Sequence, residues 1–231
     1  MEGLGPAGLP AQECITDAAG RPVAVDPANP AYREHLSRIV SSLLSPQGLD
    51  ADGFKVDFTQ RGPSGTSLRG APGPWGIAAL HLLLRTLHVA AHRAKPDALV
   101  VTHAVRPSFA DVSDMVRLND VAKADPTGRR VPVVDQLRFR ARIARSALPH
   151  HLLDTDQWPM PDRAEWRRYV EAQVEVGVPA LYYLESIDRS GELIGDEDLA
   201  AVASSWSRYR AGLSQPVRDG LPRPAVDGGH R

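Results

Sequence analysis

A chain of 231 residues, 42% hydrophobic and 24% charged, has the composition of one soluble globular domain, or most of one barrel at the short end of its range. A net charge of −1 argues against nucleic acid or an anionic membrane as the partner, and one cysteine, Cys14, excludes an internal disulfide or a cysteine-rich metal site. No apolar run approaches the ~20 residues needed to span a bilayer. The opening Met-Glu-Gly-Leu-Gly-Pro lacks the basic start and apolar core of a signal peptide, so the expected compartment is the cytoplasm.

Residues 1–20 are rich in Gly, Pro and Ala without periodicity and read as a flexible lead-in. Arg21 to Asp26 is a candidate strand. Asn29-Pro30 resembles an N-cap followed by proline at the first helical position, and Leu36, Ile39, Val40, Leu43 and Leu44 then share one helical face. Gly53 to Phe58 is a short strand. Trp75 to Ala94 carries Ile77, Leu80, Leu84, Leu87 and Ala91 at helical spacing, with Pro96 as a stop. The runs 98–102 and 114–120 read as buried strands, and Gln136 to Ala147 as a helix. The run His151 to Asp156 is the next strand. Asp162 with Glu165 forms a capping-box pattern opening a helix through Val176. Pro179 to Glu185 is a further strand, and Asp196 to Leu213 a final helix. The tail 214–231, with its prolines and glycines, reads as disordered.

Short strands alternating with helices of this length predict an α/β fold with parallel strands and right-handed crossovers. An open doubly wound sheet fits that count as well. One pattern favours an incomplete (β/α)-barrel of TIM type over residues 21–213, with about five or six of the eight strands. Polar residues recur where strands end: Asp57, His103, Asp120, Asp154 with Asp156, and Glu185. Barrel enzymes place their catalytic groups there.

Lys55 and Asp57 lie two apart on one strand and so point to the same face. A buried Lys and Asp are costly unless paired or functional. The ammonium favours the ionised carboxylate, as a carboxylate nucleophile requires. The spacing alone leaves open a structural ion pair at the barrel mouth.

Asp52-Gly-Phe-Lys-Val-Asp-Phe-Thr-Gln-Arg-Gly-Pro63 resembles the nucleophile strand of the retaining α-glycosidases of glycoside hydrolase family 31. Their pattern is an acidic residue, a spacer, Phe-Lys-x-Asp-Phe, then Arg-x-Pro. Asp26-Pro-Ala-Asn-Pro30 resembles the element that precedes the helix before that strand, and the family 36 α-galactosidases share the Lys-x-Asp strand. The resemblance covers roughly residues 20–213 and is strongest over 20–63. It implies Asp57 as nucleophile, Lys55 as a contact to substrate hydroxyls, and Arg61 as the shaper of the loop over the site. It also implies a general acid/base at the end of the strand two units on, where Asp120 ranks first. Asp111, in the loop before that strand, ranks second. Asp114 starts the strand, toward the barrel bottom. The implied reaction is double displacement on an α-linked glucoside, xyloside or galactoside, without a cofactor. Two departures stand out. Val101-Thr-His103 replaces the family's Arg-Ser strand end, and Arg117-Leu-Asn119 replaces the tryptophan-glycine lead-in to the acid. Relatives also carry an N-terminal β-sandwich and the first barrel strands before this region.

Other candidates complete the rim. His103 is a hydroxyl ligand or a loop anchor. Asp154 and Asp156 line the site or cap the next turn. Trp158 stacks on a sugar ring or packs. At most one of Tyr182 and Tyr183 faces the interior. His81, His88 and His92 on one helix have metal-ligand character but read as solvent-facing, and Arg138, Arg140, Arg142 and Arg145 read as a solvated face. Two other readings remain. One is a non-catalytic barrel fragment or carbohydrate-binding remnant. The other is a metal-dependent barrel enzyme using Asp57, His103, Asp120 and Asp154, against which the inward Lys55 counts because its ammonium repels a cation. The expected partner is a carbohydrate. An incomplete barrel exposes sheet edges that a second copy or a missing N-terminal domain would cover.

Overall fold

A computed structural model describes residues 13–59, 65–118, 125–156, 160–181, 184–187 and 189–213. Arg61, Asp120, Trp158, Tyr182, Tyr183 and the 214–231 tail lie outside the described residues. The chain divides into two compact units, residues 1–102 with 108–114, and residues 103–107 with 115–231.

In the first unit, strand β1 (Cys14–Thr16) pairs antiparallel with β2 (Pro22–Val25). The strand expected at 21–26 is therefore half of a hairpin, not one of the parallel set. The turn between them supplies the reason. Asp17 accepts the amides of Ala19 and Arg21, and Gly20 takes φ +78°, so the chain reverses within a few residues. β1 itself falls inside the 1–20 segment. Helix α1 (Pro30–Leu44) begins as its sequence predicts, with the Asn29 side chain accepting the Ala31 amide at 2.9 Å and Pro30 in the first turn. Tyr32, Val40 and Leu44 form its buried stripe, whereas Ile39 is exposed. Strand β3 (Gly53–Lys55) runs parallel to β4 (Leu99–Thr102), with Phe54 opposite Val100 and Lys55 opposite Val101. Between them α2 (Ile77–Ala94) buries Leu84, Leu87, Ala90 and Ala91 and packs on α1.

The second unit has the same parallel strand and helix pattern. Strand β5 (Met115–Arg117) pairs parallel with β6 (Leu152–Asp154) across α3 (Val133–Ala147). Helix α4 (Arg163–Val176) follows, then α5 (Asp196–Leu213). Leu118, Leu137, Leu153, Met160, Trp166, Tyr169 and Val202 belong to one buried cluster. Of the strand expected over 179–185, the described residues 179–181, 184 and 185 carry no strand; one parallel bridge just before them joins Val178 to Asp154.

Two helix starts show how local signals are used. Asp162 caps α4 by accepting the Glu165 amide at 2.8 Å, which is one half of the expected box. The Glu165 side chain does not return to close the box. It accepts the Val133 amide at 2.5 Å and pairs with Arg130, capping α3 from a neighbouring helix. Pro132, at the start of α3, has no side chain able to cap, and a buried carboxylate at the positive helix end supplies the acceptor. No described helix is long and apolar enough to cross a membrane.

Candidate active site

Asp57 lies just past the C-terminal end of β3. The strand ends at Lys55, and Val56 still donates its amide to Val101 at 2.8 Å, so the ladder delivers Asp57 to the strand mouth. Its carboxyl is exposed, and Oδ1 accepts the amide of Phe58 at 2.8 Å. Phe58 takes φ +56°, a left-handed conformation rare for an aromatic residue. Backbone conformations of this kind recur in functional loops. Lys55, two residues earlier, is half-buried. The strand can come this close to β4 only because residue 53 is glycine: a β-carbon there would collide with the Leu99 carbonyl oxygen.

Asp111 and Asp114 belong to the same unit. Asp111 is exposed and bonds through Oδ1 to His81 Nε2 at 2.9 Å. The His81 hydrogen bond holds its carboxyl below the ordinary aspartate value. A general acid needs the opposite shift. Asp114 accepts the Val100 amide at 2.8 Å through Oδ2 and faces His88 and His92. Burial pushes its carboxyl upward, but the His88 and Val100 hydrogen bonds and the two imidazoles outweigh this and hold it low. His88 and His92 are therefore half-buried and engaged, not solvent-facing as the helical pattern suggests.

The second unit gathers its polar groups around Arg117. This arginine lies on β5 with its side chain 8% exposed, and pairs with Asp156, whose side chain is fully buried. Arg117 Nε donates to Asp156 Oδ2 at 2.7 Å, and Nη2 donates to the same oxygen. Asp156 takes φ +54°, and its amide donates to Asp154 Oδ1 at 2.9 Å. The Asp156 carbonyl accepts from the Tyr169 hydroxyl and from Gln173 of α4. Asp154 is itself buried, so both aspartates face protein groups. Beside them opens a cleft of about 450 Å³, lined by His103, Val105, Arg117, Leu118, Phe139 and Ile143. Phe139 and Ile143 are half exposed on α3 and give it an apolar wall. With Arg140 also in the lining, the apolar wall stands beside an imidazole and two guanidiniums, a setting for a hydroxylated or anionic ligand.

Sequence reasoning placed Asp154 and Asp156 at a strand end but treated Arg117 only as part of a family departure. Its signal was a charge inside the apolar run Met-Val-Arg-Leu, which implies a buried partner. The Arg138 to Arg145 face is partly spoken for: Arg138 pairs with Glu175 at 2.7 Å, and Arg145 donates to the Val176 carbonyl at 2.6 Å. Among the described residues, Asp57, His103 and Asp154 form no group able to share a metal, whereas His88, His92 and Asp114 do.

No protein-family profile matches the chain, and no curated protein matches it. A solved cyclomaltodextrinase is similar in structure, with a TM-score of 0.50 and 14% identity over 81% of this chain and 35% of that one. The chain thus spans about a third of the length of that structure. The likeness is one of fold.

Proposed function

We propose that this chain is the catalytic-barrel portion of a retaining α-glycoside hydrolase of the family 31 and 36 type, acting on carbohydrate. The observation that carries the reading is the position of Asp57, exposed at the C-terminal end of a parallel strand and followed by a left-handed residue. Barrel enzymes place their catalytic groups at this end of the strands. Fold likeness to a glycosidase supports the same assignment.

In the reaction Asp57 attacks the anomeric carbon as the leaving oxygen takes a proton from Asp120. A water then gives its proton to Asp120 and releases the sugar from Asp57, so configuration is retained. Retaining chemistry of this kind uses two carboxyl groups ~5–5.5 Å apart. Lys55 contacts hydroxyls, Arg61 and Asp111 shape the rim, and His103 and Trp158 contact the sugar. Asp154 and Asp156 act by orienting Arg117.

The test is hydrolysis of a panel of aryl α-glycosides by the purified chain, beside Asp57→Ala and Asp120→Ala. Turnover that falls to background in both variants supports the reading. Undiminished turnover in Asp57→Ala refutes it. The open cleft beside Arg117, walled by Phe139 and Ile143, favours one second reading, a non-catalytic carbohydrate-binding unit, which predicts sugar binding by the folded chain with no turnover.

A further inference from the structure

We propose that His88, His92 and Asp114 form a binding site for one divalent first-row cation, zinc foremost. Its ligands are Nε2 of each imidazole and Oδ1 of the carboxylate. The two histidines lie four apart on α2, one turn, so their rings share a face, with centroids 4.3 Å apart. Asp114 Oδ1 stands 3.2 Å from Nε2 of each. Zinc bound tetrahedrally at ~2.0–2.1 Å sets neighbouring ligand atoms about 3.3 Å apart, so these separations match one edge of its coordination shell. All three ligand atoms lie within 4.8 Å of one another.

The surroundings orient the ligands as a metal would need. His92 Nδ1 lies 3.0 Å from the Pro96 carbonyl, which can only accept, so this nitrogen carries the ring proton. In the neutral ring, Nε2 then turns its lone pair toward the carboxylate. Asp114 Oδ2 accepts the Val100 amide at 2.8 Å and also stands 3.1 Å from His92 Nε2, while Oδ1 is the oxygen within reach of both rings. A histidine whose second nitrogen donates to a backbone carbonyl, and a carboxylate fixed by a backbone amide, are the outer partners that metal ligands usually have. Two imidazole nitrogens converging on one carboxylate oxygen form a set that a cation seated between them would join. The side chains are 22%, 31% and 28% exposed, so an ion and its water can enter. Asp114 precedes β5, on the N-terminal side of the strands and away from Asp57 at a strand mouth. The ion would therefore tie α2 to the start of β4 through Asp114 and Val100, and take no part in chemistry at Asp57.

The experiment is calorimetric titration of zinc into chelator-treated full-length chain, with thermal melts alongside. Wild type should bind one equivalent and gain thermal stability. His88→Gln and His92→Gln should lose both effects, while His81→Gln, on the same helix but bonded to Asp111, should keep them. Glutamine keeps polar bonding in place of the ring, and circular dichroism checks that each variant is folded. Cobalt substituted for zinc should give the intense visible bands of a four-coordinate ion in wild type and His81→Gln, and not in His88→Gln or His92→Gln. No binding, or binding that survives in both glutamine variants, overturns the proposal. Because no readout is glycoside hydrolysis, this result is independent of the assignment of Asp57.

Discussion

Asp198, in the first turn of α5, offers a stringent test of the second unit. Its side chain is 1% exposed and accepts three bonds: Arg163 Nη1 at 2.8 Å, Arg167 Nε at 2.7 Å and the Gly195 amide at 3.1 Å. Asp198→Asn keeps the volume and one acceptor oxygen, so the Gly195 contact can survive. It removes the charge from both arginine bonds and turns an NH2 toward one guanidinium. A hydrogen bond to a charged group is worth ~1 kcal/mol more than a neutral one. Two such losses give about 2 kcal/mol, with no further gain assumed because Arg163 and Arg167 are a third or more exposed and can rehydrate. In a chain of this size that is a drop of roughly 4–8 °C in Tm. Acid titration supplies a second signature. Burial raises the Asp198 carboxyl, but the Gly195 amide and the two arginines more than reverse this, so its folded value lies below the ordinary one. The stabilisation is thus fully present above the unfolded value of ~3.9 and disappears as pH falls through the lower folded value. Urea unfolding of wild type and variant from pH 7 to pH 3 should show a constant gap above pH ~5 that closes in acid. A gap below ~0.5 kcal/mol at pH 7, or one that does not close, refutes the reasoning.

Four further variants test other contacts in the fold. Arg117→Met strips the charged partner from a fully buried Asp156 and should cost about 3–5 kcal/mol by urea unfolding, because an uncompensated buried charge is left. Glu165→Gln should cost about 1 kcal/mol and speed amide exchange at the start of α3, with exchange in the middle of α3 little changed. Gly53→Ala should lose about 1–3 kcal/mol and distort the approach to Asp57, because the Leu99 carbonyl is backbone and cannot step aside. Gly212→Ala, with open space around it, should be neutral or stabilising in the same melts.

The helices were legible because their signals are local. Asn29-Pro30 and Asp162 act within three residues of the amides they satisfy, and the apolar stripes of α1 and α2 need no partner to be read. The parallel strands were legible as apolar runs, though their ends were not: β3 ends at Lys55 and β5 at Arg117, and one further ladder bond beyond each, from Val56 to Val101 and from Leu118 to Asp154, carries the chain to the strand mouth. What the sequence hid were pairings across distance. β2 looked like a barrel strand until its register with β1 fixed it as half of a hairpin. His88 and His92 looked solvated because nothing in α2 reveals Asp114, twenty-two residues beyond His92. For the candidate site, the position of Asp57 at a strand mouth was readable from its motif. The burial of Asp156 against Arg117 depends on two strands meeting, and no window of sequence contains both.

The cap that Glu165 lends to α3 bears on the order in which the chain can be built. The amide of Val133 and the carboxylate that satisfies it are 32 residues apart in the chain. During synthesis, α3 emerges while Glu165 is still inside the ribosome, so its first turn has no acceptor and stays frayed. Only when the start of α4 emerges and docks can that turn close. The two helices should therefore acquire protection together, as one late cooperative unit.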